Sequence, residues 1–225
     1  MSILSLFQAG GIVMLPLLAF SVVAIALIIE RLFFWASLLQ RQEPLVREVL
    51  KLYRESPAIA YKKLKQNADL PIARIFMAAV ELEYATPDEF RLALESAGQA
   101  ELPLLRRYGT VFDTVIAAAP LLGLLGTVLG LIASFASLNL GSGDTTQTEA
   151  VTGGISEALV STATGLIVAI VVLLFANTFR GLYRRQRALI EEYGGQLELL
   201  YRRHQLQDRK GESMPGSTLS KPSRN

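Results

Sequence analysis

The chain has 225 residues, 51% of them hydrophobic, and its mean hydropathy of +0.37 is high for a protein surrounded by water. Its 22 Lys and Arg nearly balance 20 Asp and Glu, so the charge does not indicate nucleic-acid binding. Because Cys is absent and only one His is present, disulfides, thiolate metal sites and histidine metal clusters are excluded. The sequence also lacks a G-x-x-x-x-G-K-[ST] motif, so we expect no ATP hydrolysis, no enzymatic activity, no cofactor and no metal.

Three stretches without charged residues predict three membrane spans, at 1–29, 114–143 and 158–179. The shortest has 22 residues. As a helix it would extend roughly 33 Å, enough for a hydrocarbon core of about 30 Å. No Lys or Arg precedes Arg31, so the first stretch lacks the basic region of a secretory signal and is predicted to be retained. The alternative is a soluble protein with buried apolar helices.

The positions of the basic residues predict the topology. All 22 Lys and Arg lie in 31–107 or 180–224, and none lies in the N-terminal segment or in the connection at 138–152. By the positive-inside rule, the N-terminus and that connection face outward. The long middle segment and the C-terminus then face the cytoplasm.

These observations predict an all-α integral membrane protein with three transmembrane helices and long cytoplasmic helical extensions. The predicted segments, in chain order, are an outer N-terminal segment at 1–11, transmembrane helix 1 at 12–36, a cytoplasmic helical region at 37–111, transmembrane helix 2 at 112–137, an outer loop at 138–153, transmembrane helix 3 at 154–179, a cytoplasmic helix at 180–207 and a disordered tail at 208–225.

Helix-start signals and apolar spacing predict a helical cytoplasmic subdomain. Ser56-Pro57 and Thr86-Pro87 each place a capping residue before a proline, and Thr86 with Glu89 matches a capping box. The segments 70–84 and 90–105 carry apolar residues every three to four positions, so each can bury one face.

The third span is predicted to continue into the cytoplasm as a helix. An apolar stripe follows it on a charged background, with Gly194-Gly195 as the candidate break, and His204 is expected at the surface. The stripe consists of Leu182, Leu189, Tyr193, Leu197 and Leu200.

One face of the second span is small and polar. Its members recur at alternating steps of three and four residues: Pro120, Gly123, Thr127, Gly130, Ser134 and Ser137. One interpretation is close helix packing, which the Gly126-x-x-x-Gly130 pair also favours. The other is that this face, repeated around a symmetric oligomer, lines a polar pore.

The third span begins beside an acidic residue, Glu157, which precedes an uninterrupted apolar run. Such a carboxylate is solvated at the interface, paired with a cation, or carries a raised pKa and exchanges protons. Ser161 and Thr164 share its helical stripe, and Thr162 lies about 140° away. Asp113 begins the second span at its cytoplasmic end, where its negative charge is expected to compensate the helix dipole.

Two motifs resemble the MotA/TolQ/ExbB proton-channel family, in its three-span ExbB/TolQ branch. They are Ala-Pro-Leu-Leu-Gly-Leu-Leu-Gly-Thr-Val-Leu-Gly-Leu-Ile at 119–132 and Gly-Ile-Ser-Glu-Ala-Leu-Val-Ser-Thr-Ala-Thr-Gly-Leu-Ile-Val-Ala-Ile at 154–170. Family members commonly have Pro after Ala-Ile in the third span, whereas this chain has Val171. The resemblance implies that Thr127, Glu157 and Thr162 are the polar residues of a proton path.

The resemblance also implies the assembly. It predicts a homopentamer in the bacterial inner membrane, around an ExbD/TolR-like single-span subunit, which energises a TonB-like or Tol-like envelope protein. A scaffold that assembles envelope components without conducting protons is the alternative. Under that alternative, Gly123, Gly126, Gly130, Ser134, Ser137, Ser161 and Thr164 serve helix packing alone.

The topology is testable because the chain has no Cys. We predict that Ser142→Cys reacts with an impermeant thiol reagent in intact cells, whereas Ser96→Cys reacts only after permeabilisation. The measurement is labelling of whole cells, and reaction of the Ser96→Cys variant in intact cells would reverse the predicted orientation.

Overall fold

The computed structural model describes residues 11–82, 84–136 and 145–212, with side chains in the last range described from 151 to 206. Every regular element in these residues is a helix, which confirms the all-α prediction. The helices are α1 (Met14–Glu55), α2 (Pro57–Gln66), α3 (Pro71–Val80), α4 (Pro87–Leu105), α5 (Gly109–Ala136) and α6 (Thr145–Glu212). The predictions for 1–10, for Ser137 and the rest of 137–144, and for 213–225 lie outside the described residues.

Three helices, α1, α5 and α6, are long and apolar enough to cross a membrane, as predicted. Their surfaces support a lipid environment: Phe33 is 73% exposed and Leu121 is 65% exposed within the chain. In water such large apolar surfaces would be unfavourable, whereas in a bilayer they contact lipid. The protein is therefore a multi-pass membrane protein.

The helices contribute to two compact units. One, the membrane unit, contains the chain up to Trp35 and Arg106–Tyr183, and the other, the extramembrane unit, contains Ala36–Leu105 and the chain from Arg184 onward. Both α1 and α6 contribute residues to each unit.

The helix α4 begins with the predicted capping box. The Glu89 carboxylate accepts from the Thr86 backbone N–H at 2.7 Å and from the Thr86 hydroxyl at 2.9 Å, and the Glu89 N–H donates to the Thr86 hydroxyl. The Thr86 N–H and hydroxyl lower the pKa of Glu89, so this cap stabilises the fold at neutral pH and weakens as the pH falls through that pKa. Ser56 occupies the N-cap position of α2, but its side chain makes no capping bond.

Apolar faces of α3 and α4 form the core of the extramembrane unit, as their spacing predicted. Ile72, Phe76 and Phe90 are fully buried. Arg74 of α3 joins α4 through two bonds to Glu101, from Nε to Oε1 at 2.6 Å and from Nη2 to Oε2 at 2.5 Å. The two bonds fix the orientation of α3 against α4, which apolar contact alone does not specify.

The far part of α6 also packs in the extramembrane unit. The ring of Tyr201 stacks on Phe90 with centroids 4.1 Å apart, and its hydroxyl donates to the Ala85 carbonyl. His204, predicted to be a surface residue, is instead half-buried, with its ring 6.5 Å from that of Tyr53. Burial raises the pKa of Tyr53 to about 12.

The bounds of α6 differ from the sequence expectations. The helix begins at Thr145, inside the segment expected to be a loop, and continues to Glu212, beyond the predicted end at 207. At the C-terminal end, Gln, Arg and Lys favour helices in water, so polar turns extend the helix beyond its apolar part. The candidate break at Gly194-Gly195 is absent, because the helix continues through both glycines.

We predict that Glu101→Gln lowers the free energy of unfolding by about 1.5–3 kcal/mol, because it removes a charged partner from Arg74. Thermal unfolding of the detergent-solubilised protein measures this change. Glu95→Gln is the matched control, because Glu95 pairs with Arg91 on the same helix while both side chains are 58% exposed. Equal losses in the two variants would contradict the role given to Glu101.

Candidate functional site

A seam of small residues joins α5 to α6 in the membrane unit. A β-carbon added to Gly123 would lie 2.9 Å from the Cα of Thr162, and one added to Gly130 would lie 2.8 Å from the Gly154 carbonyl oxygen. On the other helix, a β-carbon on Gly165 would lie 2.5 Å from the Ala119 carbonyl oxygen. The two backbones therefore approach so closely that a larger residue does not fit.

Serines fill the remaining space along this α5–α6 seam. A β-carbon on Gly126 would overlap the Ser161 hydroxyl, and one on Gly154 would overlap that of Ser134. Ser161 and Ser134 are 0% and 2% exposed. Gly123, Gly126, Gly130, Ser134 and Ser161 thus pack helices within the chain, as the packing interpretation requires.

The hydroxyl groups at the seam donate to backbone carbonyls. Thr162 Oγ1 donates across the seam to the Gly123 carbonyl at 2.9 Å, and Ser161 Oγ lies 3.4 Å from the same oxygen while donating to Ala158 at 2.9 Å. Ser134 Oγ donates to Gly130 at 2.9 Å. These bonds satisfy hydroxyl donors that would have no hydrogen-bond partner in lipid.

Thr127 and Thr162 differ from the serines because both remain half-buried. Thr127 Oγ1 donates to the Leu124 carbonyl at 2.6 Å. A hydroxyl has one donor and two lone pairs, so each threonine retains acceptor capacity after this bond. Thr164 is also half-buried and donates to Val160 at 2.8 Å.

Glu157 lies half-buried beside Gly11, which precedes the first residue of α1 by three positions. A β-carbon on Gly11 would overlap the Glu157 carboxylate, and Gly11 has a φ of +67°, which glycine adopts readily. No Lys or Arg of the described residues forms an ion pair with Glu157. The carboxylate therefore lies near a helix N-terminus, where the positive end of the dipole favours negative charge.

At the opposite end of the seam, Arg180 of α6 donates to the Asp113 carboxylate of α5. Arg180 also donates to Asn177 Oδ1 at 2.8 Å. The pair was not expected from the sequence, although Asp113 and Arg180 directly bound two of the charge-free stretches at the predicted cytoplasmic side. That shared position is the signal that predicts their proximity.

A buried arginine lies in the first membrane helix. Arg31 is 2% exposed, and its Nε and Nη2 donate to Glu30 at 2.7 and 3.1 Å. Its guanidinium lies 4.6 Å from the centroid of Phe34 and 5.1 Å from that of Tyr108. Ion pairing and cation–π contacts offset the cost of burying this charge.

The structure brings together most of the predicted site residues, and adds Gly154, Ala158 and Gly165 as seam partners. Glycine at 154 and 165 recurs after 11 residues, close to three helical turns, which is the sequence signal for these partners. Thr127, Glu157 and Thr162 keep partial exposure, whereas the seam residues do not.

Close helix packing through small residues, with hydroxyl groups bonded to backbone carbonyls, is typical of α-helical membrane proteins. The sequence matches the MotA/TolQ/ExbB proton channel family over residues 67–192, more than half of the chain. The chain belongs to this family.

Relatives agree with this assignment. The chain is 65% identical to the biopolymer transport protein ExbB-like 3 of Synechocystis over 196 residues, which cover 87% of this chain and 93% of the relative. It is 40% identical to ExbB-like 1 of the same organism, covering 87% of this chain and 78% of that relative. Biopolymer transport protein ExbB of Pseudomonas putida is 35% identical over 46% of this chain and 32% of its own length. These similarities place the chain on the ExbB-like side of the family.

We predict that Gly123→Ala destabilises the protein by about 1–3 kcal/mol, because the added methyl group meets backbone atoms of α6. Gly181→Ala is the matched control, because nothing lies within 4 Å of a β-carbon there. Replacing glycine by alanine in an open helical position stabilises by about 0.5–1 kcal/mol. Opposite shifts in the melting temperature of the two variants would verify the seam, and a neutral Gly123→Ala would contradict it.

Proposed function

We propose that the chain conducts protons as a subunit of an inner-membrane motor complex. In this proposal it forms a homopentamer around an ExbD/TolR-like single-span subunit, and proton entry drives work on a TonB-like or Tol-like envelope protein. The relatives' names describe biopolymer transport, and the family is one of proton channels. The energy source would be the membrane potential and proton gradient, about 2.3 kcal/mol per charge per 100 mV.

One observation carries the proposal: Thr127 and Thr162 keep acceptor lone pairs and partial exposure, whereas the neighbouring Ser134 and Ser161 are buried. A protonated carboxylic acid of the partner subunit, or a water molecule, donates to such an oxygen. The bond from Thr162 to the Gly123 carbonyl holds the threonine in one orientation. In this proposal each threonine stabilises the protonated form of the group that donates to it.

Glu157 would act near the outer end of this path. Its carboxylate is half-buried and forms no ion pair with a described cation, so it attracts protons or hydrated cations from the outer side. In this role it exchanges a proton with water before the proton reaches the threonines. The proton gradient and the membrane potential drive this flow inward, and the proposed topology, with a periplasmic N-terminus and a cytoplasmic C-terminus, puts Glu157 on the outer side.

A scaffold without proton conduction is the second candidate. The packing of Gly123, Gly126 and Gly130 against α6 favours it, because this face is occupied within the chain itself. A scaffold would use the extramembrane unit to assemble envelope proteins, and it would need neither ionisation at Glu157 nor the exposed oxygen of Thr162.

We predict that Glu157→Gln and Thr162→Val each reduce proton uptake by about 100-fold or more while the oligomer still forms. Glutamine retains size but not the ionisable proton, and valine is nearly isosteric with threonine but has no hydroxyl. The assay uses liposomes that contain the chain, the single-span partner and a pH-sensitive dye, with the outside acidic.

Thr178→Val is the control, because Thr178 is exposed on α6 and donates only to the Leu174 carbonyl among the described residues. Native mass spectrometry verifies that every variant retains the oligomeric mass of the unmodified chain, and the proposal expects five copies. Normal flux in both Glu157→Gln and Thr162→Val would favour the scaffold function instead.

A further inference from the structure

The Asp113–Arg180 pair links α5 and α6 at one end of the α5–α6 seam. The two side chains are 48% and 50% exposed, so water and protons reach them. Beside the pair, the rings of Phe112 and Phe179 lie with centroids 5.9 Å apart. The pair is therefore an accessible polar group at the edge of an apolar contact.

The pair is in register with the two threonines. Arg180 follows Thr162 by 18 residues, and Asp113 precedes Thr127 by 14 residues. At about 100° per residue, Arg180 lies on the same helical face as Thr162, and Asp113 lies about 40° from the face of Thr127. On each helix, the ion-pair residue therefore lies on or near the face that carries the half-buried threonine.

A carboxylate adds a proton-binding group to helical faces that otherwise carry hydroxyl groups. A carboxylate can bind a proton transiently and release it to water, whereas a threonine hydroxyl does not take up an extra proton in the ordinary pH range. In α5, and in α6 from 151 to 180, the described structure contains two carboxyl groups, Glu157 near one end of the charge-free stretch and Asp113 at the other. The chain thus supplies an acid at each end of the hydroxyl-lined faces.

We propose that Asp113 is the proton acceptor at the inner end of the path, and that Arg180 is its positioning residue. The inference rests on the proposed proton conduction. Water in the path transfers a proton to an Asp113 carboxylate oxygen, and the ion pair with Arg180 opens as the charge on Asp113 is neutralised. The acid then releases its proton to cytoplasmic water, and Arg180 pairs again, so one proton crosses and only O–H bonds are made and broken.

Arg180 is the charged side chain that contacts Asp113 in the described structure, and the same guanidinium also donates to the neutral Asn177 side chain.

The competing interpretation is that the ion pair only holds the two helices together, as a clasp. A clasp loses its function equally when either partner is removed. A proton acceptor instead requires the carboxyl group and tolerates the loss of Arg180, because Arg180 only positions it.

The first comparison uses Asp113→Asn and Arg180→Gln in the proton-uptake assay with the partner present. We expect Asp113→Asn to reduce flux by at least about tenfold, and Arg180→Gln to retain flux within about threefold. Equal losses would establish the clasp and overturn the proposal. Undiminished flux in Asp113→Asn would also overturn it.

A chemical rescue keeps the test independent of folding, because the unmodified chain contains no Cys. Asp113→Cys is reconstituted with its partner and then treated with a thiosulfonate that adds a carboxylate, or with methyl methanethiosulfonate, which adds a neutral methylthio group. We expect flux to return with the carboxylate reagent and to remain low with the neutral one. Rescue by both reagents, or by neither, would overturn the role of the carboxyl group.

Glu191→Cys is the matched control, because Glu191 also pairs with an arginine, Arg187, on an exposed part of α6. Its flux should equal that of the unmodified chain before and after either reagent. If the unmodified chain conducts no protons with its partner, the proposed function and this inference both fail. If it conducts normally and Asp113→Cys does as well, only this inference fails.

Discussion

The close approach of α5 and α6 is the constraint on which the membrane unit depends. Hydrocarbon offers no water to a hydroxyl or carbonyl group, so every polar side chain there needs a partner in the protein. Glycine at 123 lets the backbone of Thr162 come near enough for its hydroxyl to reach the opposite helix. The absence of a side chain at glycine therefore permits both the close backbone packing and the orientation of the candidate site.

The extramembrane unit is stabilised by other means. Fully buried residues such as Ile72, Phe76 and Phe90 supply apolar burial, which drives folding in water but does not drive helix association in lipid. Arg74 and Glu101 then orient two of its helices, and the Thr86 cap fixes where α4 begins. The membrane unit and the extramembrane unit are thus stabilised by different interactions, and each set of interactions suits its surroundings.

Much of this architecture follows from local sequence. Charge-free stretches predicted the three apolar helices, and Thr86 with Glu89 predicted a helix start, because both signals act over a few residues. The partners of the seam were harder to predict, since the contact of Gly126 with Ser161 joins residues 35 positions apart. Likewise, nothing near Glu157 in sequence indicates Gly11, and only three-dimensional packing brings them together.

The ends of α6 were misjudged for a different reason. The stretch from Thr145 has little apolar character, and Arg209, Lys210 and Glu212 resemble a solvated tail by composition. Helix propensity, however, depends on backbone and rotamer freedom rather than on apolarity, and a helix that has already formed adds further turns without a new nucleus. Burial patterns alone therefore underestimate polar helical ends.

The direction of the hydroxyl bonds limits how a proton can travel. A hydroxyl passes a proton along only if it accepts one and gives up its own, yet Thr127, Ser134, Thr162 and Thr164 all direct their hydrogens at backbone carbonyls. Amide carbonyls do not carry protons onward at neutral pH. These hydroxyl groups therefore form no continuous Grotthuss wire. Any relay through this region must use mobile water or carboxyl groups, so its rate depends on when those carriers arrive.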